Sequence, residues 1–352
     1  LTGVSAGAIN AAYLANSPAT LGEAAHGLSK LWAGLVTHRV VSDAPLKVFG
    51  NVLRWSSQLL AGGRHALPDV RGLLDTAPLR SYLGRTLSEA GGGLTGVERK
   101  LASGRLSAFA VTTTDYASGH AITNVQRSPA REPLSWRRPW RLGVSGRVGL
   151  DHVMASAAIP VLFPAVHLNG SWHGDGSVRD TAPLSPALHL GADRILVIST
   201  VRGSNTCEPG EMYLNGYPSL ARVVGVTLNS RLYGNTDNDA AQLRRLTELA
   251  RACPAARAAG LRPVELLVMR PRDDLGEIAG QYEDQLPRTV RYLTRGLGTK
   301  QPHSADLLST LLFESAYTRR LIECGRKDAE NRLDELLAFV GAPQSAALTS
   351  SS

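Results

Sequence analysis

Cysteine is scarce in this chain of 352 residues, present only at Cys207, Cys253 and Cys324. Three cysteines, odd in number and widely spaced, cannot form a disulfide framework, and no two have the spacing of a metal site. Inert free thiols in a reducing compartment are the expected state, and neither a metal nor a cofactor is expected. Lysine is nearly as rare. Lys30, Lys47, Lys100, Lys300 and Lys327 leave arginine to supply 33 of the 38 basic residues. Long apolar runs are missing too; none approaches the roughly 18 residues of a membrane span. The chain also has no initiator methionine. Only Leu1 and Thr2 precede its first recognisable motif, so the sequence reads as a piece of a longer protein, cut just before that motif. A signal peptide therefore cannot be assessed.

What is present is ordinary for a soluble globular protein, with 43% hydrophobic and 19% charged residues and length enough for one large domain or two. The net charge of +8 and pI near 9.7 bias the surface toward anions, phospholipid headgroups or nucleic acid among them. The basic residues are scattered and no nucleic-acid motif accompanies them, so nucleic acid is not an expected partner.

The informative feature stands at the start: Gly3-Val4-Ser5-Ala6-Gly7, running into the small, helix-compatible residues Ala8 to Ala15. A serine with glycines two residues away on each side fits a sharp strand-to-helix turn that exposes its hydroxyl at the positive end of a helix. Side chains at Gly3 or Gly7 are expected to collide with neighbouring backbone in so tight a bend. The small residues beyond suit a helix packed hard against a sheet.

Further along, helical spacing recurs at Leu28, Leu31, Trp32 and Leu35, at Val48, Val52, Trp55 and Leu59, and through Leu83 and Leu87. Gly91-Gly92-Gly93 is a break. Leu106 to Thr112 and His120 to Gln126 read as the strands of a hairpin. Arg127 to Arg147 holds six arginines against the single acid Glu132, with Trp136 and Trp140 among them. This segment is either a contact with an anionic membrane or a solvated loop insertion whose tryptophans cover the core edge. Asp151 to Ala158 reads as a short helix, Val161 to Leu168 as a strand, and Asn169-Gly170 as a two-residue hairpin turn. The return strand then delivers Gly174-Asp175-Gly176-Ser177. Pro183 to Leu190 is a further expected helix, and Arg194 to Ser199 a strand apolar enough to be covered on both faces. A loop to Tyr217, a helix to about Ala252, a strand at Val264 to Met269 and helices over roughly 305–340 follow.

A serine hydroxyl needs a base to take its proton during attack. Asp175 is the best candidate, because flanking glycines leave its carboxylate room in a cleft. With these residues the chain resembles the bacterial patatin-like phospholipases. Gly3 to Gly7 matches the family's nucleophile motif, and Asp175-Gly176-Ser177 its Asp-Gly-Gly or Asp-Gly-Ala motif, with serine in third place. Ala155 to Pro160 with Phe163-Pro164, and Ala182 to Ala187 with Gly191-Ala192-Asp193, are similar to the family's neighbouring runs. Asp306 to Ser309 and Leu321 to Gly325 look like the C-terminal extension of some bacterial members.

The resemblance implies a three-layer α/β/α sandwich over residues 1–203, lacking its first strand and Gly-rich loop. A mainly helical extension over 204–340 and a disordered tail over 341–352 are expected to follow. It also implies a serine lipid acyl hydrolase with a Ser5-Asp175 dyad, no histidine and no calcium. Its substrate would be a phospholipid or another acyl-ester lipid, and its place the cytoplasm or a membrane periphery. The family's Gly-rich loop supplies most of the oxyanion hole; here the backbone N–H of Ala6 is the expected donor, and the chain as given is expected to be defective in turnover. Two other readings stand: a catalytically inactive lipid-binding member, and an α/β-hydrolase whose triad would combine Ser5 with His303 and Asp273 or Asp274.

Overall fold

A computed structural model of the chain describes residues 1–42, 50, 72–87, 92–128, 130–180, 182–200, 202, 235–288, 290, 291, 308, 309 and 311–341. The expected helix through Val48, Val52, Trp55 and Leu59, the loop to Tyr217 with Cys207, His303, Asp306-Leu307 and the tail from 342 lie outside the described residues.

The first half of the chain is built around one strand. β2 (Ala108–Asp115) is buried along seven of its eight positions, which its alanine, valine and threonine content suits. β3 (Ala121–Arg127) runs antiparallel to it along one edge, from Ala108↔Arg127 to Thr114↔Ala121. The other edge is shared by two short strands. β1 (Thr2–Gly3) pairs in parallel with Ala110 and Val111, while β7 (Ser171–Asp175) pairs antiparallel with Thr113 to Asp115. The two therefore meet nearly head to head along β2, β1 ending just before Ser5 and β7 ending at Asp175. This junction is what brings residues 170 positions apart into contact. Outer strands β5 (Arg141–Ser145), β4 (Trp136–Arg138) and β6 (Val166–Leu168) complete a mixed sheet in the order β4-β5-β3-β2-β7-β6.

Helices cover this sheet. α1 (Ala6–Asn16) buries Ile9 and the alanines Ala8, Ala11, Ala12 and Ala15, whose small side chains let its axis approach β1 and β2 closely. Phe109 and Val111 of β2 join that cluster with Val97 of α5 (Thr95–Ala102) and Val153 and Met154 of α6 (Leu150–Ser156). α2 (Leu21–Ala33) opens on a capping box, Thr20 and Glu23 satisfying each other's backbone N–H groups. α3 (Thr37–Val40) and α4 (Ala77–Leu87) close the same core through Val40, Leu79, Leu83 and Leu87.

Three expectations are corrected. Arg127 to Arg147 is no loop insertion: β5 joins the sheet parallel to β3, and β4 folds back on it as the edge strand. Exposed Arg137 and Arg138 are the kind of charge that blunts an edge against further pairing, and that charge hid the strand pattern. Val161 to Phe163 turns instead of extending, between Pro160 and Pro164; Val161 has φ 70°, and the carbonyls of Val161 and Leu162 accept from Leu73 and Leu74. Among the described residues, the strand Arg194–Ile198, β8, is covered on one face: Ile195 is buried, whereas Ile198 is 81% exposed. The Asn169-Gly170 hairpin turn is as expected, both residues having positive φ.

Beyond α7 (Ser185–His189), β8 pairs in parallel with β9 (Glu265–Met269), so residues on both sides of position 203 share a sheet. α8 (Asn235–Ala252) packs there through Ala240 and Leu243. α9 (Pro254–Ala258), α10 (Leu275–Gly280), α11 (Ser315–Glu330) and α12 (Leu333–Gly341) make the described C-terminal part mainly helical. α11 packs on α2.

Candidate active site

Ser5 sits between β1 and α1 with φ 53° and ψ −130°, a conformation that costs a non-glycine residue about 1–3 kcal/mol. Surrounding contacts hold it there. Its N–H donates to Ser156 Oγ at 3.0 Å, and the Ser156 hydroxyl donates to the Thr112 carbonyl at 2.7 Å, so α6 and β2 fix the bend from below. A Cβ on Gly3 would overlap the Gly7 carbonyl oxygen and lie 2.7 Å from Ala8 Cα, so the elbow closes only with glycine there. Gly7 differs from expectation: a Cβ there would meet nothing within 4 Å, because the first turn of α1 faces open space on that side.

Asp175 ends β7 and is wholly buried. Its backbone is fixed twice, by its N–H to the Ala158 carbonyl at 2.9 Å and by the Thr114 hydroxyl to its own carbonyl at 2.8 Å. Oδ1 accepts from the Ser177 N–H at 2.9 Å, which leaves Oδ2 for the Ser5 hydroxyl at 2.6 Å. Gly176 packs against the Thr112 carbonyl and has no room for a side chain; Gly174 lies against the Tyr116 ring. Burial pushes the Asp175 carboxyl up to about 6, although the hydrogen bonds from Ser5 and Ser177 pull the other way. Burial, then the nearby Asp175 charge, raises the Tyr116 phenol.

The geometry therefore joins Ser5 to Asp175 directly. The Ser5 hydroxyl donates to Asp175, its N–H to Ser156, and its carbonyl accepts from the Ala8 N–H; none of these partners is a histidine. His303 lies outside the described residues. Asp273 accepts from the Cys324 thiol at 3.4 Å, and Asp274 caps α10 through the N–H groups of Gly276 and Glu277. A carboxylate held this way, ionised above about pH 6, can take a hydroxyl proton at neutral pH. Ala6 is the first residue of α1, where backbone N–H groups lack intrahelical partners and the helix dipole favours negative charge.

A cavity of about 540 Å³ opens at Ser5 and Ala6. Ile9, Trp32 and Leu35 line it on the core side, with side chains from α11 opposite, so it is mostly apolar beyond the serine. Trp32 spends its polar atom on Asn10 Oδ1 at 2.7 Å.

Sequence reasoning missed the supporting residues. Ser156, fully buried, is the lone hydroxyl in a helix turn of small apolar residues, and that isolation was its one available signal. Thr114 acts on Asp175 through a long-range strand pairing that no local pattern announces, whereas the Ser177 N–H is a local partner within the Asp175-Gly176-Ser177 motif.

No helix among the described residues is long and apolar enough to cross a membrane. Comparison with curated proteins finds no match to the chain. The family profile described as patatin-like phospholipase matches residues 1–188, more than half of the chain and the whole of the elbow and aspartate junction. With that match over an α/β architecture, the chain belongs to the patatin-like phospholipase family, whose activity in general is lipid acyl hydrolysis.

Proposed function

We propose that this protein hydrolyses acyl-ester lipids through a Ser5-Asp175 dyad and an acyl-enzyme intermediate. The observation that carries the reading is the 2.6 Å hydrogen bond from the Ser5 hydroxyl to a fully buried carboxylate. Ser5 Oγ attacks the ester carbonyl as its proton passes to Asp175 Oδ2. The tetrahedral oxyanion forms beside the N-terminus of α1, where the Ala6 N–H is a donor. Collapse expels the alcohol, which takes the proton back from Asp175. Water then attacks the acyl carbonyl as Asp175 takes its proton; collapse breaks the bond to Ser5 Oγ, which takes that proton back from Asp175, releasing the fatty acid and restoring the dyad.

Strain and burial both serve this scheme. The elbow holds Oγ at the cavity mouth in one geometry, and the raised carboxyl is a stronger base than an exposed aspartate while remaining ionised at pH 7. The reading extends to peripheral contact with an anionic lipid surface, for which exposed Arg137 and Arg138 on the β4 edge and Trp140 in the turn after it are the support. The test is labelling with a fluorophosphonate, which esterifies activated serines. The full-length protein is expected to be labelled on Ser5 and to lose both labelling and ester turnover in Ser5→Ala. Labelling that survives the substitution puts the nucleophile elsewhere.

A further inference from the structure

The family match ends at residue 188, yet much of the cavity wall facing the nucleophile comes from beyond it. Leu312 and Phe313 precede α11, and Tyr317, Leu321 and Ile322 project from it, all lining the space that begins at Ser5. We propose that this segment, 312–322, is the acyl-chain ruler of the enzyme: its apolar side chains bind one fatty acyl chain and set the length accepted at Ser5. The proposal rests on the hydrolase reading above and names the part of the substrate that the C-terminal region recognises.

Three observations support it. The wall is anchored, not loosely apposed. The Thr37 hydroxyl contacts Glu314 Oε1 at 2.7 Å and the Phe313 carbonyl at 3.2 Å, and the Ser315 hydroxyl donates to the Leu35 carbonyl at 3.3 Å. On its other side the Tyr317 hydroxyl donates to the Leu275 carbonyl at 3.3 Å. These bonds tie α11 to the α2–α3 connection and to α10, so its side chains stand at a fixed place across the cavity. Next, its polar atoms are turned away from the space: Tyr317 spends its hydroxyl on Leu275, and Thr318 bonds back to the Glu314 and Ser315 carbonyls. A wall of that kind offers a ligand apolar contact and no hydrogen bond. Last, the size fits one chain. A cavity of about 540 Å³ holds on the order of eighteen groups the size of a water molecule, and a methylene is of similar size. One acyl chain fits, two long ones do not.

The test is a series of p-nitrophenyl esters from acetate to hexadecanoate, with kcat/KM measured on the full-length protein. Wild type is expected to gain about fourfold per methylene until the wall is reached, then to level off or fall. Leu321→Trp, which fills the space, is expected to shorten the optimum and cut the dodecanoate-to-acetate ratio at least tenfold. Leu321→Ala and Ile322→Ala enlarge it, moving the optimum to longer chains, and keep the test open if the tryptophan variant does not fold. Ratios within twofold of wild type in all the folded variants overturn the proposal. Calorimetric titration with sodium dodecanoate separates this outcome from failure of the dyad reading. If no ester is turned over but dodecanoate binds and Leu321→Trp weakens it tenfold, the ruler stands without the dyad. Equal binding to wild type and variant sinks the ruler alone.

Discussion

The two walls of the cavity are held together by different physics. On the nucleophile side nearly every contact is directional and without slack: a serine at φ 53°, a buried carboxylate bonded through both oxygens, and glycines whose missing Cβ atoms are occupied by backbone. On the far side, Leu312, Leu321 and Ile322 offer dispersion contacts with no fixed direction, and only the anchoring hydroxyls of Thr37, Ser315 and Tyr317 are geometrically strict. Chemistry needs atoms held to a few tenths of an ångström, whereas holding an alkyl chain needs only a shape. The first wall should therefore fail abruptly on substitution and the second should change gradually.

The sharpest break in that contrast comes from the dyad. Base catalysis contributes about 10² to 10⁴ in rate, so Asp175→Asn is expected to lower kcat by at least that order, with Ser5→Ala lower still. A loss under tenfold in Asp175→Asn would move the base to another group. The pH profile adds a shape to this number. Because burial raises the Asp175 carboxyl to about 6, kcat/KM is expected to climb through about pH 6 and to level off above it. A limb near pH 4 instead would mean that the carboxylate is not desolvated when it works.

The same ionisation has a cost in stability, with a definite sign. A carboxyl whose folded-state value lies above its unfolded one stabilises the fold below about pH 4. That contribution is lost as pH rises through about 6. A rise of this size corresponds to roughly 2–3 kcal/mol, so Asp175→Asn is expected to be more stable relative to wild type at pH 8 than at pH 4, by up to that amount. Asp180 is raised in the same way, mainly by burial, so some pH dependence persists in the variant. Urea melts at the two pH values decide this, and an equal difference at both would remove the desolvation argument.

Glycine substitutions test the slack on the first wall. Gly3→Ala must displace the backbone at Gly7 and Ala8 and is expected to destabilise by several kcal/mol. Gly7→Ala has open space and lies in α1, so helix propensity predicts a gain of up to about 1 kcal/mol. The reverse order in thermal melts would contradict the described elbow. An effect milder than loss of the dyad or Gly3→Ala is expected at the β4 edge. Arg137→Gln with Arg138→Gln should weaken binding to vesicles containing anionic lipid by about 1 kcal/mol per charge at low salt and flatten its salt dependence. Binding unchanged by the pair leaves these arginines with edge protection alone.

How much of this was legible in the sequence follows from how local each feature is. The elbow, the Asn169-Gly170 turn and the Asp175 motif are set by adjacent residues, and reading five or six positions suffices to find them. The head-to-head meeting of β1 and β7 along β2 is a long-range pairing. Residues Thr2 to Asp175 carry no periodicity that announces it, and the family resemblance brought Ser5 and Asp175 together first. Ser156, a serine among alanines, looks like a small filler until the Ser5 N–H is seen to need an acceptor. Gly7 was misjudged for a related reason: the spacing of the motif is symmetric, but the bend is not, and only Gly3 faces backbone. At β4 and β5 the arginines suppressed a strand pattern that the pairing with β3 reveals.

The dyad is tested most directly by the rate of fluorophosphonate labelling of Ser5 across pH, in wild type and in Asp175→Asn. This reaction reports activation of the serine without requiring a particular lipid. The account predicts a wild-type rate that rises through about pH 6 and a variant slower by a hundredfold or more at pH 8, with no titration near 6. Equal rates in the two proteins, or a wild-type profile with no limb near pH 6, would contradict it.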